Sequence, residues 1–227
     1  MFFEQLFDKS SSTYTYLIAS RTGGEALIID PVLDNIDLYL NILEKSKLNL
    51  VKVIDTHTHA DHVTGASKLQ KKTNCATIMG EHSLSDIVEI KVQDNEIIKI
   101  DGLEIKAMYT PGHTSDSYSF FMNDRVFSGD ALLINGTGRT DFQNGSNEDS
   151  YESIFNKLLK LPKETLLYPG HDYNGKKFST IGAEKKFNPR LQIKNLEDYS
   201  NIMNNLNLSK PKLMDFNIKK NIKLGAD

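Results

Sequence analysis

Three of the six histidines in this 227-residue chain fall inside one heptapeptide, Thr56-His57-Thr58-His59-Ala60-Asp61-His62. Imidazole and carboxylate are the side chains that suit iron, zinc and manganese. An H-x-H-x-D-H run is therefore a far more specific metal signal than a lone histidine. The single cysteine, Cys75, lies outside every motif, so a metal site here must be built from His, Asp and Glu. Cys75 itself is expected to be a small buried apolar residue.

Further donors recur downstream. His113 stands in T-P-G-H-T, Asp130 in F-S-G-D-A and His171 in Y-P-G-H-D-Y, each directly after a glycine. Glycine lets the backbone turn sharply and swings the next side chain into a site. Each motif also follows an apolar run (LEIKAMY, RVF and TLLY), as the heptapeptide follows LVKVID. Five of the six histidines thus sit where strands give way to loops, the usual place for a rigid scaffold to present ligands. His82, in G-E-H-S, lacks that context and is assigned to the surface.

The elements that must position these donors alternate between strand and helix. YTYLIA (14–19) and ALIID (26–30) form paired strands around the turn at Thr22-Gly23-Gly24. Residues 35–45 are helical, with Ile36, Leu40 and Leu43 on one face, and 50–55 is a strand. A helix over 63–72 follows the heptapeptide. Strands are predicted at 76–79, 97–100, 103–109, 117–122, 125–128 and 165–169, and helices at about 149–160 and 196–206. No repeat or linker divides the chain, so one layered α/β domain over 1–227 is expected.

Composition narrows the function classes. Hydrophobic residues make up 39% and charged residues 25%, as in an ordinary globular protein, and the net charge of −3 argues against nucleic acid or a membrane surface as partner. The opening MFFEQLFDKSSSTYTYLI has no signal- or transit-peptide character, so a cytoplasmic protein is expected, or an organellar one whose presequence has been removed.

The ordered set H-x-H-x-D-H, G-H-T, G-D and a late G-H-D resembles the metallo-β-lactamase superfamily. T-H-T-H-A-D-H-V-T-G, G-D-A-L-L-I-N-G-T-G-R-T-D-F-Q-N-G and Y-P-G-H-D-Y-N-G are similar to its persulfide dioxygenase branch, as are L-F-D-x-x-S-S-T-Y-T-Y-L-I and N-P-R at 188–190. The resemblance implies an αββα sandwich, an α/β fold of two facing mixed sheets flanked by helices. It implies one iron(II) per chain on His57, His113 and Asp130, a facial triad that leaves positions open. It implies glutathione persulfide and O2 as substrates, sulfite and glutathione as products, and a possible homodimer. His59, Asp61, His62 and His171 would hold ligands and water by hydrogen bonds, or complete a second metal site. Arg139 and Tyr173 are the implied substrate-binding residues, with Arg190 a further candidate. Asn135 and Thr137 depart from the Arg and Cys that many members carry. No rhodanese domain accompanies the motifs, so the sulfur donor is expected to be separate.

The nearest alternative is a glyoxalase II-like thioester hydrolase, which uses all seven donors in a two-metal site. Those enzymes resemble a longer chain with a helical C-terminal region. A non-enzymatic binding module should have lost donors, and this chain keeps them all.

Overall fold

The computed structural model describes residues 1–226. Among the described residues, fourteen strands and six α-helices succeed one another along the chain. The first sheet follows chain order: β1 (Phe2–Asp8), β2 (Thr13–Ala19), β3 (Glu25–Ile29), β4 (Asn49–Ile54), β5 (Ala76–Gly80) and β6 (Ile90–Val92). Its first three strands pair antiparallel and the rest parallel. The parallel half needs crossovers; α1 (Ile36–Lys45) carries the one from β3 to β4 and α2 (Ala66–Thr73) the one from β4 to β5.

The second sheet runs β7 (Ile97–Ile100), β8 (Leu103–Tyr109), β9 (Tyr118–Met122), β10 (Arg125–Gly129), then β13 (Leu166–Pro169) and β14 (Ser179–Thr180). β10 and β13 are parallel, and the other pairs are antiparallel. A small hairpin, β11 (Leu132–Leu133) and β12 (Gly136–Thr137), lies between them in sequence. Helical residues 147–160 begin as α3 (Asn147–Tyr151), widen over Glu152–Lys157 and tighten over Leu158–Lys160. Three helices follow: α4 (Ile181–Phe187), α5 (Leu196–Asn204) and α6 (Met214–Asn221).

Side-chain alternation along β2 explains the layering, because successive residues of a strand face opposite sides. Tyr14, Tyr16 and Ile18 face the second sheet and pack with Ile105, Phe120, Phe127 and Tyr168. Leu17 and Ala19 face outward onto Tyr39, Leu43 and Leu69 of the two crossover helices. On the far side, Val126 and Leu167 meet Ile154, Leu158 and Tyr199. The order is helix, sheet, sheet, helix, the αββα sandwich that the motifs implied.

The sequence expectations miss β1, β6, β11, β12, β14, α4 and α6, and they start α2 three residues early. Residues 63–65 stay out of the helix for a physical reason. Thr64 bridges to Val32, and its amide is taken by the side chain of Asn221. No described helix is long and apolar enough to cross a membrane. Cys75 is buried, and His82 is exposed and stacked on Tyr109 with ring centroids 4.0 Å apart, both as expected.

Candidate metal centre

All seven sequence-predicted donors gather where the two sheets meet. His57, His59, Asp61 and His62 occupy the loop after β4, in the first sheet. His113, Asp130 and His171 follow β8, β10 and β13, in the second. Left-handed backbone at Gly112 (φ +137°) and Gly129 (φ +49°) turns the chain just before His113 and Asp130. A bridge between Thr13 and His171 joins the sheets at the site, and Tyr14 N donates to the Gly170 carbonyl at 2.8 Å.

His57, His113 and Asp130 each present one donor atom, and these atoms all lie within 4.8 Å of one another. The remaining atom of each is held by the protein. The Thr56 hydroxyl donates to Asp30 Oδ2 at 3.0 Å, so it accepts from His57 Nδ1 at 2.9 Å and leaves Nε2 as a lone pair. His57 Nε2 is buried with no hydrogen-bond partner. His113 Nδ1 donates to the Arg139 carbonyl at 2.7 Å, which fixes the same tautomer. Asp130 Oδ1 accepts from His171 Nδ1 at 2.7 Å, leaving Oδ2 facing His113 Nε2 at 3.5 Å. Two imidazole nitrogens and one carboxylate oxygen, each oriented from behind, are a donor set that fits a transition-metal dication.

The other four donors are engaged differently. His171 donates its second proton to Asp61 at 3.0 Å. Burial works against a charge on His171, but Asp130 and Asp61 outweigh it and hold the ring protonated, well above the usual histidine range. His59 donates Nε2–H to Asp30 at 3.1 Å; burial opposes its charge, yet Asp30 raises its pKa to about 9. His62 donates Nδ1–H to Asp61 at 2.8 Å, and burial keeps it below the usual range. His57 is driven well below that range by burial and by His59 and His113, so it is neutral. Asp130 is held low, because His171, His113 and His57 together override its burial. His59 Nδ1 and His62 Nε2 are also buried without partners, and His59, Asp61 and His62 form a second compact triple.

Several supporting residues went unpredicted. Asp30 binds the Thr56 amide at 2.7 Å as well as its hydroxyl. Asp116 takes the Thr58 amide and hydroxyl and the Thr114 hydroxyl. Asp55 accepts from the Thr64 hydroxyl, and the Thr13 hydroxyl donates to Asp61 at 3.0 Å. Asp30 and Asp55 do carry a faint signal, since each is a charge closing an apolar strand run.

The implied substrate residues are spread out. The Arg139 fork grips Asp141 through two bonds of 2.6 and 2.7 Å and also donates to the carbonyls of Leu208 and Ser209. It lines a cleft of about 530 Å³ with Thr140, Asp141, Asn204, Leu206 and Leu208. None of the seven donors is in that wall; the cleft meets the site through the Arg139 carbonyl on His113. Tyr173 is 74% exposed and stacks on His171, with ring planes 12° apart. Arg190 is turned to the β12 strand, donating to the Thr137 carbonyl at 2.5 Å, and Thr137 is buried.

A sandwich of two mixed sheets with histidine and aspartate loops along one edge defines a class. The metallo-β-lactamase superfamily profile matches residues 10–88 and 80–171, and the chain belongs to that superfamily. Within it, the chain is 37% identical over 225 residues to the mitochondrial persulfide dioxygenase ETHE1 of Homo sapiens, covering 98% of this chain and 88% of that one. The crystal structure of ETHE1 from Myxococcus xanthus superposes with a TM-score of 0.97 at 43% identity, over the whole of both chains. A metallo-beta-lactamase from Staphylococcus aureus superposes with a TM-score of 0.90 at 28% identity, over 97% of this chain and 71% of that one.

Proposed function

We propose that the chain is a persulfide dioxygenase that uses one iron(II) to oxidise glutathione persulfide with O2. The observation that carries this is the near full-length likeness to proteins of that name, coupled to a His57–His113–Asp130 triad with each donor oriented from behind. Both triad imidazoles are fixed as Nε2 donors, whereas both ring nitrogens of His171 are already engaged, by Asp130 and Asp61. That supports one metal on the triad.

Bound there, iron(II) supplies open positions and electron transfer between sulfur and dioxygen, which zinc, having no redox chemistry, does not. A dication held by His57, His113 and Asp130 would carry a single net positive charge, which suits a persulfide anion as substrate. The overall reaction breaks the S–S bond. The outer sulfur takes three oxygen atoms, two from O2 and one from water, to become sulfite, and glutathione leaves with a proton. His171, hydrogen-bonded to both Asp61 and Asp130, would hold the Asp130 carboxylate in its ligating pose. Arg139 and Tyr173 are proposed to contact the glutathione moiety, Arg139 by exchanging Asp141 for a substrate carboxylate. Arg190, turned to Thr137, supports the loop between β12 and Arg139. The proposed setting is the cytoplasm, a compartment where the lone buried cysteine stays reduced.

Asp130→Ala tests the metal assignment: it is expected to lose iron and sulfite formation while keeping the circular dichroism of the fold. An iron-loaded, active variant would refute the triad. The free His59 Nδ1 and His62 Nε2 favour a second reading, a two-metal hydrolase of glutathione thioesters. Zinc-loaded protein that turns over S-lactoylglutathione at enzymatic rates, with no sulfite from the iron form, would select it.

A further inference from the structure

Helix α6 carries none of the seven donors, yet two of its asparagines are spent on the backbone of the donor loop. Asn221 donates one N–H bond each to the carbonyls of His59 and His62, both at 2.8 Å, and its own carbonyl accepts from Thr64 N at 2.9 Å. Asn217, one helical turn earlier on the same face, donates to the Ala60 carbonyl at 2.9 Å. Both are buried, at 2% and 4% exposure. The loop belongs to no sheet or helix here, and the bonds to these three carbonyls come from the far end of the chain. A primary amide has the two donors and one acceptor that Asn221 uses, and neither aspartate nor leucine reproduces them.

What this turn holds leads directly to the triad. Between the clamped carbonyls of Ala60 and His62 lies Asp61, whose carboxylate binds His171 at 3.0 Å; His171 binds Asp130 at 2.7 Å. On its other side the His59 ring lies 4.2 Å from the His57 ring, centroid to centroid. A shift of the turn therefore reaches two of the three triad residues.

We propose that Asn217 and Asn221 are positioning residues of the metal centre: they fix the 59–62 turn, and through Asp61 and His171 they fix the pose of Asp130. This rests on the metal-centre reading above. The C-terminal helix then acts as the template on which a loop some 160 residues upstream takes its ligating shape.

The test is cobalt(II) titration of the full chain, followed by d–d absorption, with the melting temperature of the metal-free protein measured alongside. Asn221→Ala is expected to weaken cobalt(II) by about tenfold or more, the size of effect seen when groups behind metal ligands are removed, and to alter the absorption band. Leu43→Ala, on the buried face of α1, is expected to lower the melting temperature but leave affinity and band unchanged. Wild-type affinity and spectrum in Asn221→Ala overturn the proposal. So does an equal loss in Leu43→Ala, which would make the effect one of general stability. If Asn221→Ala does not fold, Asn217→Ala decides, since it removes a single bond. A smaller weakening with the same band change supports the clamp, and an unchanged titration overturns it. Wild-type protein that binds no cobalt(II) would instead sink the metal-centre reading and the clamp with it.

Discussion

Thr56 shows how one hydroxyl sets the chemistry of a neighbouring ring. Its proton goes to Asp30, so it can only accept from His57 Nδ1, and His57 Nε2 is left as a lone pair. Thr56→Val keeps the shape and removes that relay. Metal affinity is expected to fall about tenfold or more with the fold intact, measured by competition with a chelator; an unchanged affinity would mean the tautomer is fixed elsewhere. Asp55 offers a separate test, in pH. Burial pushes its pKa up to about 7, with His59 opposing and Asp30 adding to the rise. A carboxyl raised above its unfolded value binds more protons in the native state, so its contribution to stability is present at acid pH and declines as pH rises toward 7. In urea denaturation of metal-free protein, Asp55→Asn is expected to lose less stability than wild type between pH 5 and 7. Parallel declines would place the Asp55 titration outside that window.

At the scale of elements, the loops after β4, β8, β10 and β13 carry the donors, and the hairpin of β11 and β12 leads into the backbone that holds His113. A Cβ on Gly138 would lie 2.9 Å from the His113 ring and closer still to the Asp130 carbonyl. Gly138→Ala is therefore expected to cut metal occupancy steeply, read by elemental analysis of folded protein; full occupancy would mean the loop moves freely. The donor loops were legible in the sequence because their residue types are rare and their spacing is specific. Their supports were not. Asp116, Thr13 and Asn221 look like ordinary polar residues, and only folding brings them to partners 48 to 162 positions away, as for Thr13 with Asp61 and Asn221 with His59. Helix α6 was missed because its apolar stripe is short and its buried face includes Asn217 and Asn221. β1 was missed because none of its residues is fully buried.

Across the whole molecule, the site joins the two halves of the sandwich. The first sheet supplies His57 and the second supplies His113 and Asp130, so an ion held on the proposed triad would cross-link the sheets. Ligand binding to the native state alone stabilises it by mass action. Stripping the metal with chelator is expected to lower the melting temperature by several degrees, and restoring it should recover the loss. An identical melting temperature with and without metal would show that the sandwich closes independently of the ion. The αββα order itself was carried by the motif set rather than by strand periodicity. The alternation of Tyr14, Tyr16 and Ile18 with Leu17 and Ala19 fits a sheet covered on both faces, in a sandwich or a doubly wound fold alike.

Oxygen uptake by the iron(II)-loaded chain tests the central claim most directly. It would be followed with glutathione persulfide, with glutathione alone, and with zinc-loaded protein as control. The account predicts one O2 consumed per sulfite formed, only when iron and persulfide are both present. No uptake by protein with verified iron on the site, or equal uptake by the zinc form, would contradict it.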